Sequence, residues 1–93
     1  MPYVLIIHEV ADYPAWKVIF DAAAGIRRDA GEIAYQVLKY DTEPKRIVHY
    51  SLWRSLDAAR AFFESDRLIE IRAQAGVKVP EFIYLNQLER GEL

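Results

Sequence analysis

The sequence predicts an α+β domain with the element order β-α-β-β-α-β. Three observations carry this. Short β-rich runs occur at residues 3–10, 33–41, 46–54 and 81–87. Two longer segments between them repeat apolar residues at helical spacing. The middle two runs are joined only by Thr42-Glu43-Pro44-Lys45, a Pro-containing link that makes them a hairpin.

The first run, "YVLIIHEV", is short and β-rich, and a helix start follows it at Asp12-Tyr13-Pro14. Asp is a capping residue type, and Pro fits a first helical turn, where its missing N–H has no partner to lose. Trp16, Ile19, Phe20, Ala23 and Ala24 form an apolar stripe, with Lys17, Asp21 and Arg28 off it. The spacing predicts one helix to about Ala30, ended by Gly31 in a left-handed cap. Gly25 within it costs up to about 1 kcal/mol relative to Ala. After the hairpin, Ser55 caps a second helix with Asp57 in its first turn. Leu56, Ala59, Phe62 and Phe63 form its inner stripe. Ser65-Asp66 predicts a break and restart, and Leu68, Ile71 and Ala75 continue the stripe to Gly76. Pro80 precedes the last strand. The order is that of the ferredoxin-like split βαβ arrangement, which right-handed crossovers turn into a four-stranded antiparallel sheet of order 4-1-3-2 with the helices on one face. Residues 1–93 form one domain.

Composition narrows the function. The chain is 53% hydrophobic and 13% aromatic over 93 residues, more apolar material than one small two-layer domain hides, so a homodimer is expected. The net charge is −2 and the basic residues are scattered, which argues against a nucleic-acid partner. There is no cysteine for a disulfide or thiolate metal site. The first apolar run ends after about five residues at His8-Glu9, so neither a signal peptide nor a membrane span is expected, and the cytoplasm is the default location. No Gly-rich phosphate loop, G-x-S-x-G elbow or HExxH occurs, so no cofactor is expected.

Alternation along the strands predicts which residues share a face. A four-residue hairpin loop would pair Leu38 with His49 and Gln36 with Ser51, and His8 of the first strand would then oppose His49. One face would carry Tyr3, Leu5, Ile7, Ile33, Tyr35, Val37, Val48, Tyr50 and Leu52, with Ile83 and Leu85. Nearly all apolar, it is the face expected under the helices. The other would carry Val4, Ile6, His8, Gln36, Leu38, Tyr40, His49, Ser51 and Trp53, with Phe82, Tyr84 and Asn86. Such a mixed patch is expected to close against a second copy, enclosing a cavity for a small ligand.

His8 reads either as an acid–base group, with an ordinary pKa suited to proton transfer at neutral pH, or as a strand-end histidine bonded to backbone or water. His49 reads the same way, and Tyr40 is a further candidate partner. Gln36, Ser51, Trp53, Tyr84 and Asn86 are candidate cavity residues. Trp53 either stacks on an aromatic ligand or packs the dimer core, and packing is preferred. Two histidines without a third ligand of clear spacing do not make a metal site, so none is expected. Arg27-Arg28 reads as a solvated face.

The segments "HEVADYPAWKVIFD", "HYSLWRSLDAARAFFESDRL" and "AGVKVPEFIYL" resemble the dimeric α/β-barrel superfamily, which includes antibiotic-biosynthesis monooxygenases and small polyketide cyclases. The similarity is strongest to an uncharacterised subgroup. It implies a homodimer with a cavity on the sheet face away from the helices. In the cyclase branch a first-strand histidine acts with a tyrosine or second histidine as acid and base, a role His8 can fill. The haem-degrading branch uses a helix-borne histidine, and neither histidine here lies on a predicted helix. The expected function is binding of a small aromatic or hydrophobic molecule, with a cofactor-independent cyclase or isomerase reaction as the leading chemistry. A cofactor-free monooxygenase and a non-catalytic binding module are the alternatives.

Overall fold

A computed structural model describes residues 1–76 and 80–93; part of the "AGVKVPEFIYL" segment, residues 77–79, lies outside the described residues. The elements are β1 (Pro2–Glu9), α1 (Tyr13–Ala22), α2 (Ala24–Ala30), β2 (Glu32–Lys39), β3 (Arg46–Trp53), α3 (Leu56–Phe63), α4 (Asp66–Gln74) and β4 (Glu81–Asn86). The strands form one antiparallel sheet in the order β2-β3-β1-β4, the predicted order read from the other edge.

Local chemistry explains most boundaries. Ser55 Oγ accepts from Ala58 N at 3.0 Å and Ser65 Oγ from Leu68 N at 3.3 Å, so two serine caps produce the predicted break between α3 and α4. Asp12 precedes α1 but makes no side-chain cap. The single helix expected before Gly31 is two, interrupted at Ala23. Gly31 has φ 126°, a conformation that side chains disfavour, and its carbonyl accepts from Arg54 N at 2.8 Å. The chain thereby turns from α2 directly into β2.

The strand registers differ from expectation in two ways. Between β1 and β3, Ile6 opposes His49 and His8 opposes Ile47, a slip of two residues that leaves the facing sets intact. In the hairpin, Lys39 opposes Ile47 and Val37 opposes His49, a slip of one. Tyr40 N donates to Arg46 O and Arg46 N to Glu43 O, which closes the hairpin around residues 41–45, a loop one residue longer than expected. An odd slip exchanges faces, so Tyr35 and Val37 join the His49 side while Gln36 and Leu38 leave it.

The larger correction concerns which face the helices cover. Val4, Ile6, His8, Ile47, His49, Ser51 and Trp53 are all buried, and they lie beneath the helices. Trp16 and Phe20 of α1 pack on His8 and His49, and Phe62 and Phe63 of α3 pack on Trp53. Phe82 and Tyr84 share this side, with Phe63 against Phe82 and the Arg60 guanidinium over Tyr84. Tyr3, Leu5, Ile7, Val48, Tyr50 and Leu52 form the open face, half-buried, with Tyr3 and Tyr50 stacked at 5.0 Å. Ile83 and Leu85 register with Leu5 and Tyr3 on that open side. Apolarity misassigned the faces because the open face is as apolar as the one under the helices. The helix-covered side tolerates Glu32, His49 and Ser51 because they pair with one another.

Candidate functional site

Those polar groups form one buried network. Glu32 begins β2 and is 8% exposed. The register shift between Glu32 and Ala34 inserts Ile33 as a bulge, so Glu32 opposes Trp53 and turns beneath the helices. Regular pairing would have aimed it at the open face. One carboxylate oxygen accepts from Arg27 Nε at 2.6 Å; the other meets His49 Nε2 at 2.7 Å and accepts from Ser51 Oγ. Burial pushes the Glu32 carboxyl up, but the bonds from His49, Ser51 and Arg27 and the charge on His49 outweigh it and hold the group below the usual carboxylate range.

An ionised carboxylate only accepts, so His49 Nε2 carries its hydrogen, and Nδ1 is the acceptor of the neutral ring. Phe20 stands edge-on to His49 at 4.9 Å and 87°. Arg27, expected on a solvated face, is 4% exposed; it also donates to Phe20 O and lies 3.8 Å over the Phe20 ring. Guanidinium, carboxylate and imidazole thus follow one another from α2 through β2 to β3.

Beside this network lies a cavity of about 60 Å³ between sheet and helices. Ile6, Trp16, Phe20, Phe63 and Phe82 are among its walls, with His8, His49, Arg27 and Arg72 as its polar members. His8 is 6% exposed, and among the described residues neither ring nitrogen has a hydrogen-bond partner. A buried polar group left in this state costs about 1–3 kcal/mol, which a ligand or water accepting or donating at the ring would recover. Trp53 Nε1 is likewise unpartnered. Arg72 donates to Phe63 O at 3.0 Å and makes no carboxylate ion pair among the described residues.

Burial lowers the His8 pKa to about 3, with the charges of His49 and Arg72 adding to the shift. The ring is therefore neutral at physiological pH. Unfolded, it titrates near 6.5, so below that pH the unfolded chain takes up a proton that the folded chain refuses. The stability loss begins as pH falls through 6.5 and ends near 3. At 1.36 kcal/mol per unit it reaches on the order of 4–5 kcal/mol. Urea titrations at pH 7 and pH 4.5 are expected to show about 2–3 kcal/mol of this loss in the wild type. His8→Gln should reduce the loss by that amount, and an equal loss in both proteins would contradict the burial.

The expected site residues thus divide. His8, His49, Ser51 and Trp53 come together beneath the helices. Tyr84 shares their side, half-buried, and burial raises its pKa; the charges on Glu64, Arg60 and Arg72 contribute smaller shifts. Gln36 is exposed on the open face, Asn86 is exposed opposite Pro2, and Tyr40 sits in the hairpin turn under the Arg46 guanidinium. Glu32 and Arg27 were missed as site residues. The visible signal was an acidic residue directly after the helix-ending Gly31, at a β-strand start. Among the described residues, no group of three His, Cys, Asp or Glu side chains is placed to hold a metal ion, and no helix is long and apolar enough to cross a membrane.

Solved structures share this architecture. One, from Caulobacter crescentus and described as a candidate antibiotic biosynthesis monooxygenase, is 23% identical, with a TM-score of 0.73 over 95% of this chain and 90% of that one. SnoaB, a cofactor-independent oxygenase from Streptomyces nogalater, is 12% identical, with a TM-score of 0.75 over 96% and 93% of the two chains. Rv0793 from Mycobacterium tuberculosis is 19% identical, with a TM-score of 0.67 over 99% and 100%. These identities show a common fold. No curated protein matches the sequence. The sequence of residues 14–74, more than half the protein, matches one family, and the chain belongs to it: the antibiotic biosynthesis monooxygenases.

Proposed function

We propose that this chain is a cofactor-independent oxygenase acting on a small hydroxylated aromatic molecule, with His49 as its base. The observation that carries this reading is the buried Glu32–His49 pair at the wall of an aromatic cavity. An imidazole whose Nε2–H is held by a carboxylate keeps its other nitrogen for an incoming proton, and the carboxylate stabilises the imidazolium that results. His8, neutral and unpartnered, would hydrogen-bond the substrate oxygen. The Arg72 cation favours the anion that deprotonation creates.

Reaction with O2 in the absence of another reductant needs a substrate that supplies every electron. A phenolate does so. One oxygen atom bonds to a ring carbon, the other leaves as water with two substrate hydrogens, and the ring becomes a quinone. Family membership and the likeness to SnoaB support oxygen chemistry over a cyclase or isomerase reaction, which would use the same base. Oxygen uptake with a panel of one-ring phenols tests this, with one O2 consumed per quinone formed as the expected result. Equal turnover under argon would assign a cyclase or isomerase reaction, and binding without product would make the chain a binding module.

The open face is proposed as the surface where two copies meet in a homodimer. Leu38 and Leu85 on it are 47% and 39% exposed in the single chain. Light scattering should then give a dimer mass for the wild type and a monomer mass for Leu52→Lys, which sets a charge on that face. A monomeric wild type would contradict the assignment. The cytoplasmic location expected from the sequence belongs to the same proposal.

A further inference from the structure

Phe62 and Leu68 occupy a distinctive position. Both line the inner cavity, and both also line an outer groove shared with Ile26, Asp29, Ser65 and Arg67. They are thus the partition between two spaces. Phe62 is held there by Trp53 at 5.5 Å and Phe63 at 5.2 Å. The inner space is about 60 Å³, smaller than the roughly 150 Å³ of an apolar cavity that takes benzene, so even a single ring requires its walls to give slightly. Its aromatic walls pack on one another, with Phe20 against Trp16 at 4.8 Å and Phe63 against Phe82 at 5.3 Å, so enlargement elsewhere would break ring contacts. The outer groove lies one side chain away.

We infer that Phe62, backed by Leu68, is the specificity-determining residue that restricts this site to ligands of a single ring. Among the described residues, a fused second or third ring that extends past the Phe62 position would enter the outer groove. Removing that ring joins the cavity to the groove, whose charged rim at Asp29 and Arg67 leaves the far end of a longer ligand in contact with water. The inference rests on the proposed occupation of the cavity by a hydroxylated aromatic molecule, and deepens it by fixing the size of that molecule.

The test is binding, followed through the His8 ring resonances by NMR, with p-cresol, 2-naphthol and anthrone as probes. In the wild type, p-cresol is expected to shift the His8 signals, with 2-naphthol and anthrone at least tenfold weaker. Phe62→Ala should bind 2-naphthol at least tenfold more tightly than the wild type does, again with His8 responding. Leu68→Ala provides a second opening of the partition if Phe62→Ala does not fold, and the same gain is expected from it. Wild-type binding of anthrone as tight as that of p-cresol, or no gain in either variant, would overturn the size assignment while leaving the occupied cavity standing. Failure of all three probes to shift His8 in the wild type would overturn the occupancy itself, and this inference with it.

Discussion

Glu32→Gln is expected to cost about 3–5 kcal/mol of folding stability, the usual consequence of removing one member of a buried ion pair. The Arg27 guanidinium and the Glu32 carboxylate are each 5% exposed at the side chain and 2.6 Å apart. An amide in place of the carboxylate strands the guanidinium charge under Phe20, and it presents donors or a neutral oxygen where Ser51 and His49 both approach the second oxygen. Chemical denaturation measures the loss. Replacing both partners, as Arg27→Met with Glu32→Gln, leaves no orphaned charge and should recover most of the stability. It should not recover turnover, because His49 still lacks the anion that orients it. Recovery of activity together with stability would show that Glu32 only supports the fold.

His49→Ala is the second large effect, an expected loss of about 10²–10⁴-fold in kcat, the usual contribution of a positioned base. Ser51 and Arg27 still hold Glu32 in this variant, so the fold should survive better than in Glu32→Gln. His8→Gln is expected to weaken substrate binding with a smaller effect on kcat. Under the proposed roles His8 holds the substrate oxygen, whereas His49 takes the proton. A larger kcat loss in His8→Gln than in His49→Ala would reverse those roles.

Local chemistry was the most legible part of the sequence. The serine caps at 55 and 65, the stop at Gly31, the strand runs and the element order all follow from residue types and spacing, and the structure has them. His8 and His49 also share a face, since their relation depends on parity along β1 and β3, and a slip of two residues preserves parity. What was hidden depends on long-range geometry. The hairpin loop is one residue longer than the four-residue link implies, and that single step exchanged Gln36 and Leu38 for Tyr35 and Val37.

Glu32 was hidden for a related reason. Its direction comes from the bulge at Ile33, and nothing in the residues around it distinguishes a regular strand start from a bulged one. Arg27 looked like half of a basic surface pair. Only the position of Glu32 gives its charge a buried partner, while its neighbour Arg28 remains exposed. The exchange of faces has a broader cause. A face rich in Tyr, Leu, Ile and Val satisfies hydrophobic burial equally well under two helices or against a second copy. The mixed face holds His49, Ser51 and the bulge-directed Glu32 under the helices because these three bond to one another, while His8 borders the cavity.

The most direct test is to locate a bound phenol. Two-dimensional NMR of labelled protein titrated with p-cresol is expected to shift the ring signals of His8, His49 and Trp16 together, with Tyr3 and Tyr50 on the open face unmoved. Shifts confined to Tyr3 and Tyr50, with His8 and His49 silent, would place the ligand on the sheet's other side and contradict a working cavity beneath the helices.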